Sequence, residues 1–201
     1  MWRDFRPTLL FLFRFFLTYA LLSAAYGYFI KQYDEASPSE TDPITKNIVV
    51  QLAFMAEAFG YEVTIDEDDH RNYAQSKDEQ TYDSIRLNNV KAIAVEEGCN
   101  GISVMILFVA FVLAFGGSGK KAAWFIPLGL AFIHIANILR LFLLALLKID
   151  FDQQYFYFFH KYGFTAVLYA AVFLLWYIWV QHIVVNRKSE NERETTQGST
   201  Q

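Results

Sequence analysis

Four long apolar stretches constrain this chain more than any other feature, because each has to be reconciled with a hydrocarbon core of about 30 Å. The first runs from Thr8 to Ile30 and is broken only by Arg14, close enough to its start to snorkel into the headgroups. Ser23-Ala24-Ala25 offers a small-residue cleavage site of the signal-peptide kind, but the apolar run continues past it, so a retained span is expected. The second stretch, Ile102 to Phe115, reaches spanning length only when Gly98-Cys99-Asn100-Gly101 and Gly116-Gly117 are counted with it. The third, Ala122 to Leu147, is long enough to span with tilt although it carries His134, Asn137 and Arg140. The fourth, Tyr162 to Val185, is aromatic and β-branched, with Gln181 and His182 near its end. Irregular backbone cannot cross lipid. The expected fold class is therefore an all-α polytopic membrane protein with about four transmembrane helices.

A mean hydropathy of +0.21 is low for a chain built only of spans, and the charges show where the remainder lies. Residues 31–98 hold fifteen of the twenty-one acidic side chains and six of the seventeen basic ones, a local balance of −9 within a chain whose total is −4. No basic face survives there, so a nucleic-acid partner is not expected. The positive charges beside the spans set the orientation. With the N-terminus inside, Arg3, Arg6, Arg14, Lys120, Lys121, Arg187, Lys188 and Arg193 are cytoplasmic. The acidic segment and the Lys148 to Lys161 loop then face outward. The expected organisation is a cytoplasmic N-terminus and first span (1–30), an extracytoplasmic insertion (31–98), a three-helix membrane core (99–185) and a disordered cytoplasmic tail (186–201). A cytoplasmic (inner) membrane location follows, with both termini inside.

The insertion has its own pattern, expected to give a small mixed α/β structure. Apolar residues at Ile48, Val49, Leu52, Ala53, Met55, Ala56 and Phe59 recur at helical spacing within Pro43 to Phe59. This predicts an amphipathic helix against the membrane or the bundle, ended by Gly60. Tyr61 to Ile65 alternates like a strand, and Ser84 to Leu87, Asn88-Asn89 and Val90 to Val95 read as a hairpin whose Asn pair tolerates positive φ. Asp66-Glu67-Asp68-Asp69-His70 lacks the spacing of a calcium loop or a zinc site, and a solvated loop is expected there.

The one Cys of the chain excludes an intrachain disulfide and any multi-cysteine metal cluster, and neither a metal nor a cofactor is expected. An ionisable group inside a span needs a partner or water, so Arg140 requires explanation. It lies about eighteen residues, roughly 27 Å, from the start of its span, near the outer surface. Cys99 opens the second span from that side and His160 precedes the fourth. A thiol, a guanidinium and an imidazole thus share one membrane depth. A thiol becomes a nucleophile when a base takes its proton or a cation lowers its pKa. His160 suits the base, and Arg140 the charge beside the thiolate or the oxyanion. Gly98 and Gly101 leave room for another backbone beside Cys99. His134, Asn137 and Arg140 fall within an arc of about 120° and form one polar stripe. Interhelical hydrogen bonding is the plain role for its members, and orienting Arg140 is the functional one for Asn137.

Glu97-Gly98-Cys99-Asn100-Gly101-Ile102 at the start of a span, Asn137-Ile138-Leu139-Arg140 late in the next, and a His before the last together resemble the exosortase and archaeosortase family of integral membrane transpeptidases. The short length and the small outer domain are most similar to the F-type exosortases of Bacteroidetes. The resemblance implies a catalytic set of Cys99, Arg140 and His160, with Asn137 and Asn100 in support. Asn100 stands where the family commonly has Ser, and Asn still donates a hydrogen bond. The implied function is a cysteine protease or transpeptidase. It cleaves C-terminal sorting signals of exported proteins at the outer membrane face through a thioester at Cys99. The implied partners are an exported protein bearing such a signal with a transmembrane tail, and membrane lipid. The competing reading is a non-enzymatic scaffold or transporter subunit whose polar residues stabilise helix packing.

Overall fold

The computed structural model describes residues 2–37, 40–70, 81–116, 119–150, 159 and 163–181. In chain order the elements are α1 (Trp2–Ala36), α2 (Pro43–Ala58), β1 (Val63–His70), β2 (Thr81–Leu87), β3 (Val90–Val95), α3 (Ile102–Phe115), α4 (Gly119–Asp150) and α5 (Phe164–Ile178). Among the described residues, each apolar stretch forms a helix. Within α1 and α4, Phe5–Ala36 and Gly119–Ile149 are long and apolar enough to cross a membrane. The shorter α3 and α5 hold fourteen and fifteen residues. His160, His182, most of the Lys148 to Lys161 loop and the tail from 186 lie outside the described residues.

Two expectations change. Gly98 to Gly101 do not extend the second span as helix. Glu97–Cys99 form a single 3-10 turn and Gly101 takes φ +82°, so the helix begins at Ile102. Fourteen helical residues rise about 21 Å. The acidic run is also not a loop: Asp66 to His70 form the second half of β1. Its pairing with β2 passes an irregularity between Asp66 and Asp69 and continues to His70↔Thr81. Asp66 accepts a charge-assisted bond from Arg86 Nε at 2.7 Å. Charged side chains on an edge strand discourage pairing with a second chain.

The chain divides into two compact units. One comprises 1–24, 103–133 and 169–201 and joins parts of α1, α3, α4 and α5 through aromatic contacts. Phe111 stacks on Trp176 at 4.2 Å and meets Phe11 edge-on at 5.7 Å, while Phe125 packs on Trp179 at 5.0 Å. Gly129 of α4 is needed for a close approach, since a Cβ there would come within 2.2 Å of the Phe108 ring.

The other unit comprises 25–102 and 134–168. Its three-stranded antiparallel sheet has the order β1-β2-β3. The β2-β3 turn is closed by Asn88 and Asn89 at φ 50° and 64°, a conformation that Asn adopts more readily than most residues. α2 starts at Pro43 under an Asp42 cap, whose Oδ1 accepts from the Ile44 and Thr45 amides at 2.9 and 3.0 Å. Gly60, at φ +90°, follows its end. The core is shared three ways: Ile48, Val49, Leu52 and Ala56 of α2, Ile85, Leu87, Ile93 and Val95 of the sheet, and Ile138, Leu141, Leu144 and Ala145 of α4. The insertion is therefore built onto the last turns of α4, where Asn137 and Arg140 sit.

Candidate active site

β3 ends at Val95, and the chain turns at once into the segment that carries Cys99. The turn is closed by the Cys99 amide, which donates to the Glu96 carbonyl at 2.8 Å. Asn100 is buried and makes three bonds from one side chain. Its Oδ1 accepts from the Ile102 amide at 3.0 Å, capping α3. Its Nδ2 donates to Tyr26 Oη of α1 at 2.7 Å and, at a longer 3.4 Å, to Thr45 Oγ1 of α2. The start of α3 is thereby tied to two other helices.

Asn137 approaches the same turn from α4. It is fully buried, and its Nδ2 donates to the Cys99 carbonyl at 3.0 Å. The approach depends on Gly101: a Cβ there would lie 3.1 Å from both Cγ and Nδ2 of Asn137, and φ +82° is itself unfavourable for other residues. Asn137 Oδ1 accepts from Arg140 Nη1 at 3.3 Å. One amide side chain thus holds the Cys99 backbone with one end and the Arg140 guanidinium with the other.

The Cys99 thiol is half-buried. Two charges act on it with opposite sign, Arg140 and Glu96. Arg140 Nε is buried and has no hydrogen-bond partner among the described residues. An unpaired buried donor on a cation is costly unless something else takes the bond. A carbonyl oxygen becoming an oxyanion beside Cys99 is such an acceptor. Gly98 is open, with nothing within 4 Å of where its Cβ would be.

Cys99, Asn100, Asn137 and Arg140 are thus brought together, and His160 lies outside the described residues. The polar stripe of α4 divides. Asn137 and Arg140 face the Cys99 turn, whereas His134 Nε2 bonds Gln51 Oε1 of α2 at 2.6 Å. Tyr26 and Thr45 escape sequence reasoning. Tyr26 is one aromatic residue in an apolar run, and Thr45 gives a signal only as a small polar residue on the otherwise apolar face of α2.

No curated protein and no solved structure matches the chain. The model of the transmembrane exosortase family matches residues 5–177, which includes both spanning-length helices, the Cys99 turn and the Asn137 to Arg140 segment. With most of its length matched, the chain belongs to the transmembrane exosortase family.

Proposed function

We propose that the chain is an integral membrane cysteine peptidase or transpeptidase that acts on exported proteins with C-terminal sorting signals, with Cys99 as nucleophile. The Cys99 sulfur adds to the scissile carbonyl carbon. The resulting oxyanion takes a hydrogen bond from the Arg140 guanidinium, and collapse expels the amine and leaves a thioester. His160 accepts the thiol proton and returns it to the leaving amine. Water or a second amine then releases the acyl group. The role of His160 rests on the family's Cys, Arg and His set.

The observation that carries this reading is the buried, unpaired Arg140 Nε beside Cys99, on a guanidinium already held by Asn137. A guanidinium that merely snorkels to headgroups would have no need of a buried amide to orient it. We further propose four spans, with the turn before α3 completing the second. The N-terminus is cytoplasmic and the active site faces the periplasm. The small insertion after the first span also makes the F-type exosortases the nearest kind.

The test is maturation of a co-expressed exported protein carrying a C-terminal sorting tail. Cys99→Ala is expected to abolish trimming, and normal trimming would remove Cys99 from the mechanism. A scaffold or transporter subunit predicts no difference between the two chains, provided both insert at equal levels.

A further inference from the structure

α2 has two apolar faces and only one is accounted for by the core. Ile48, Val49, Leu52 and Ala56 are buried. On the opposite side Val50 and Phe54 are exposed, Phe54 at 73%. α4 presents exposed apolar residues of its own, Ile135 at 62% together with Leu139. Where the two helices meet, Val50, Phe54, Ala58, Ile135 and Ile138 line a groove of about 580 Å³.

The depth of this groove can be read along α4. His134 lies thirteen residues after Lys121 and fourteen before Lys148, so the nearest charged ends of the helix are each about 20 Å away. Wherever a core of about 30 Å is placed between those lysines, His134 remains roughly 9 Å or more inside either boundary. Gln51 is bonded to His134, so the middle of α2 is at that depth as well. Phe59 packs on Phe142 at 5.0 Å. The two pairs, 51 with 134 and 59 with 142, are eight residues apart on each helix, so α2 runs beside α4 in the same direction.

Gln51 and His134 also line the groove, and both side chains are hydrogen-bonded. Gln51 gives its carbonyl to His134 and its amide nitrogen to Asn47 Oδ1. In hydrocarbon an unpaired amide costs several kcal/mol, and the bond to His134 removes that cost for the Gln51 carbonyl.

We infer that α2 is inserted into one leaflet of the bilayer alongside α4, and that the groove between them holds the acyl chain of a phospholipid. The occupant follows from continuity: Ile135 lines the groove and is, with Leu139, an exposed apolar residue of a spanning-length helix in a transmembrane family. The insertion after the first span is then anchored in the membrane by its own helix as well as by α1. The inference rests on α4 being a span and not on the catalytic reading.

The test uses the full chain with Cys99→Ser, carrying one new cysteine at a time and reconstituted in phosphatidylcholine vesicles. A nitroxide at Phe54→Cys is expected to be relaxed by dissolved oxygen in preference to a water-soluble nickel chelate, as a nitroxide at Ile135→Cys should be. The opposite preference is expected at Glu67→Cys on the exposed part of β1. Nickel access at Phe54 equal to that at Glu67 overturns the insertion. For the occupant, a phosphatidylcholine with a diazirine on its acyl chain should label peptides containing Val50, Phe54 and Ile135. Ala58→Trp, and the milder Ala58→Leu, should lower that labelling several-fold without changing the Phe54 nitroxide. Unchanged labelling in both variants overturns acyl occupancy.

Discussion

Asn137 joins the two residues on which the proposed chemistry depends. Its amide nitrogen holds the carbonyl of Cys99 and its oxygen holds Arg140, so replacement by Leu leaves a partly buried carbonyl and a partly buried guanidinium without this partner. The expected loss is about 1–3 kcal/mol of stability, read as a lower unfolding temperature in detergent, together with loss of processing. Arg140→Lys separates charge from geometry. The ammonium keeps the positive charge but loses the planar fork, and processing is expected to fall by about 10²–10³, the usual effect of removing an oxyanion donor. Rates near wild type would reduce Arg140 to a membrane anchor. The two glycines beside Cys99 are not equivalent. Gly101→Ala meets Asn137 at 3.1 Å and forces a side chain into φ +82°, so about 1–2 kcal/mol of destabilisation is expected. Gly98→Ala meets nothing and should leave the unfolding temperature unchanged. Cys99, Arg140 and Asn137 were legible as candidates because a lone thiol, a charge in a span and an amide three residues away are each anomalous in an apolar sequence. What was not legible is that Asn137 binds a backbone carbonyl, since such a contact leaves no periodicity in the chain.

At the scale of elements, local chemistry and sequence pattern agree most closely in the insertion. The spacing of α2, its end at Gly60 and the Asn88-Asn89 turn were all readable because capping, positive φ and amphipathic period are properties of a few adjacent residues. Asp42→Ala removes the acceptor for two α2 amides and is expected to cost about 1 kcal/mol, with faster hydrogen exchange in the first turn of α2 and little change in the sheet. Protection unchanged in that turn would contradict the cap. The acidic run of β1 lacks any metal-ligand spacing and by itself suggests a solvated loop. The outcome was decided by pairing with β2 and by Arg86, twenty residues further along the chain. The start of α3 differs from the expected start of the second span for a related reason: hydropathy measures transfer to lipid, whereas the 3-10 turn and the Gly101 conformation are set by Asn100, Asn137 and Gly101 acting together. A similar close contact in the other unit is testable by Gly129→Ala, which places a methyl 2.2 Å from the Phe108 ring. It should destabilise by about 1–3 kcal/mol through overpacking.

At the scale of the whole molecule, the apolar runs become helices and the acidic segment becomes a small α/β insertion between α1 and α3. α4 serves both parts, since its Ile138, Leu141, Leu144 and Ala145 belong to the insertion's core while Asn137 and Arg140 reach the Cys99 turn. An active site at the outer face predicts that a membrane-impermeant thiol reagent labels Cys99 in cells whose outer membrane has been permeabilised. Labelling only after the inner membrane is broken would invert the topology. The central claim is that Cys99 forms a thioester with the substrate, and it is tested most directly by mass spectrometry of the chain after acid quench during turnover of a tail-bearing substrate. The account predicts an acyl adduct on the peptide containing Cys99, removed by hydroxylamine and stabilised when the acceptor amine is withheld. Processing at full rate with no adduct at Cys99, or with the adduct on another residue, would contradict it.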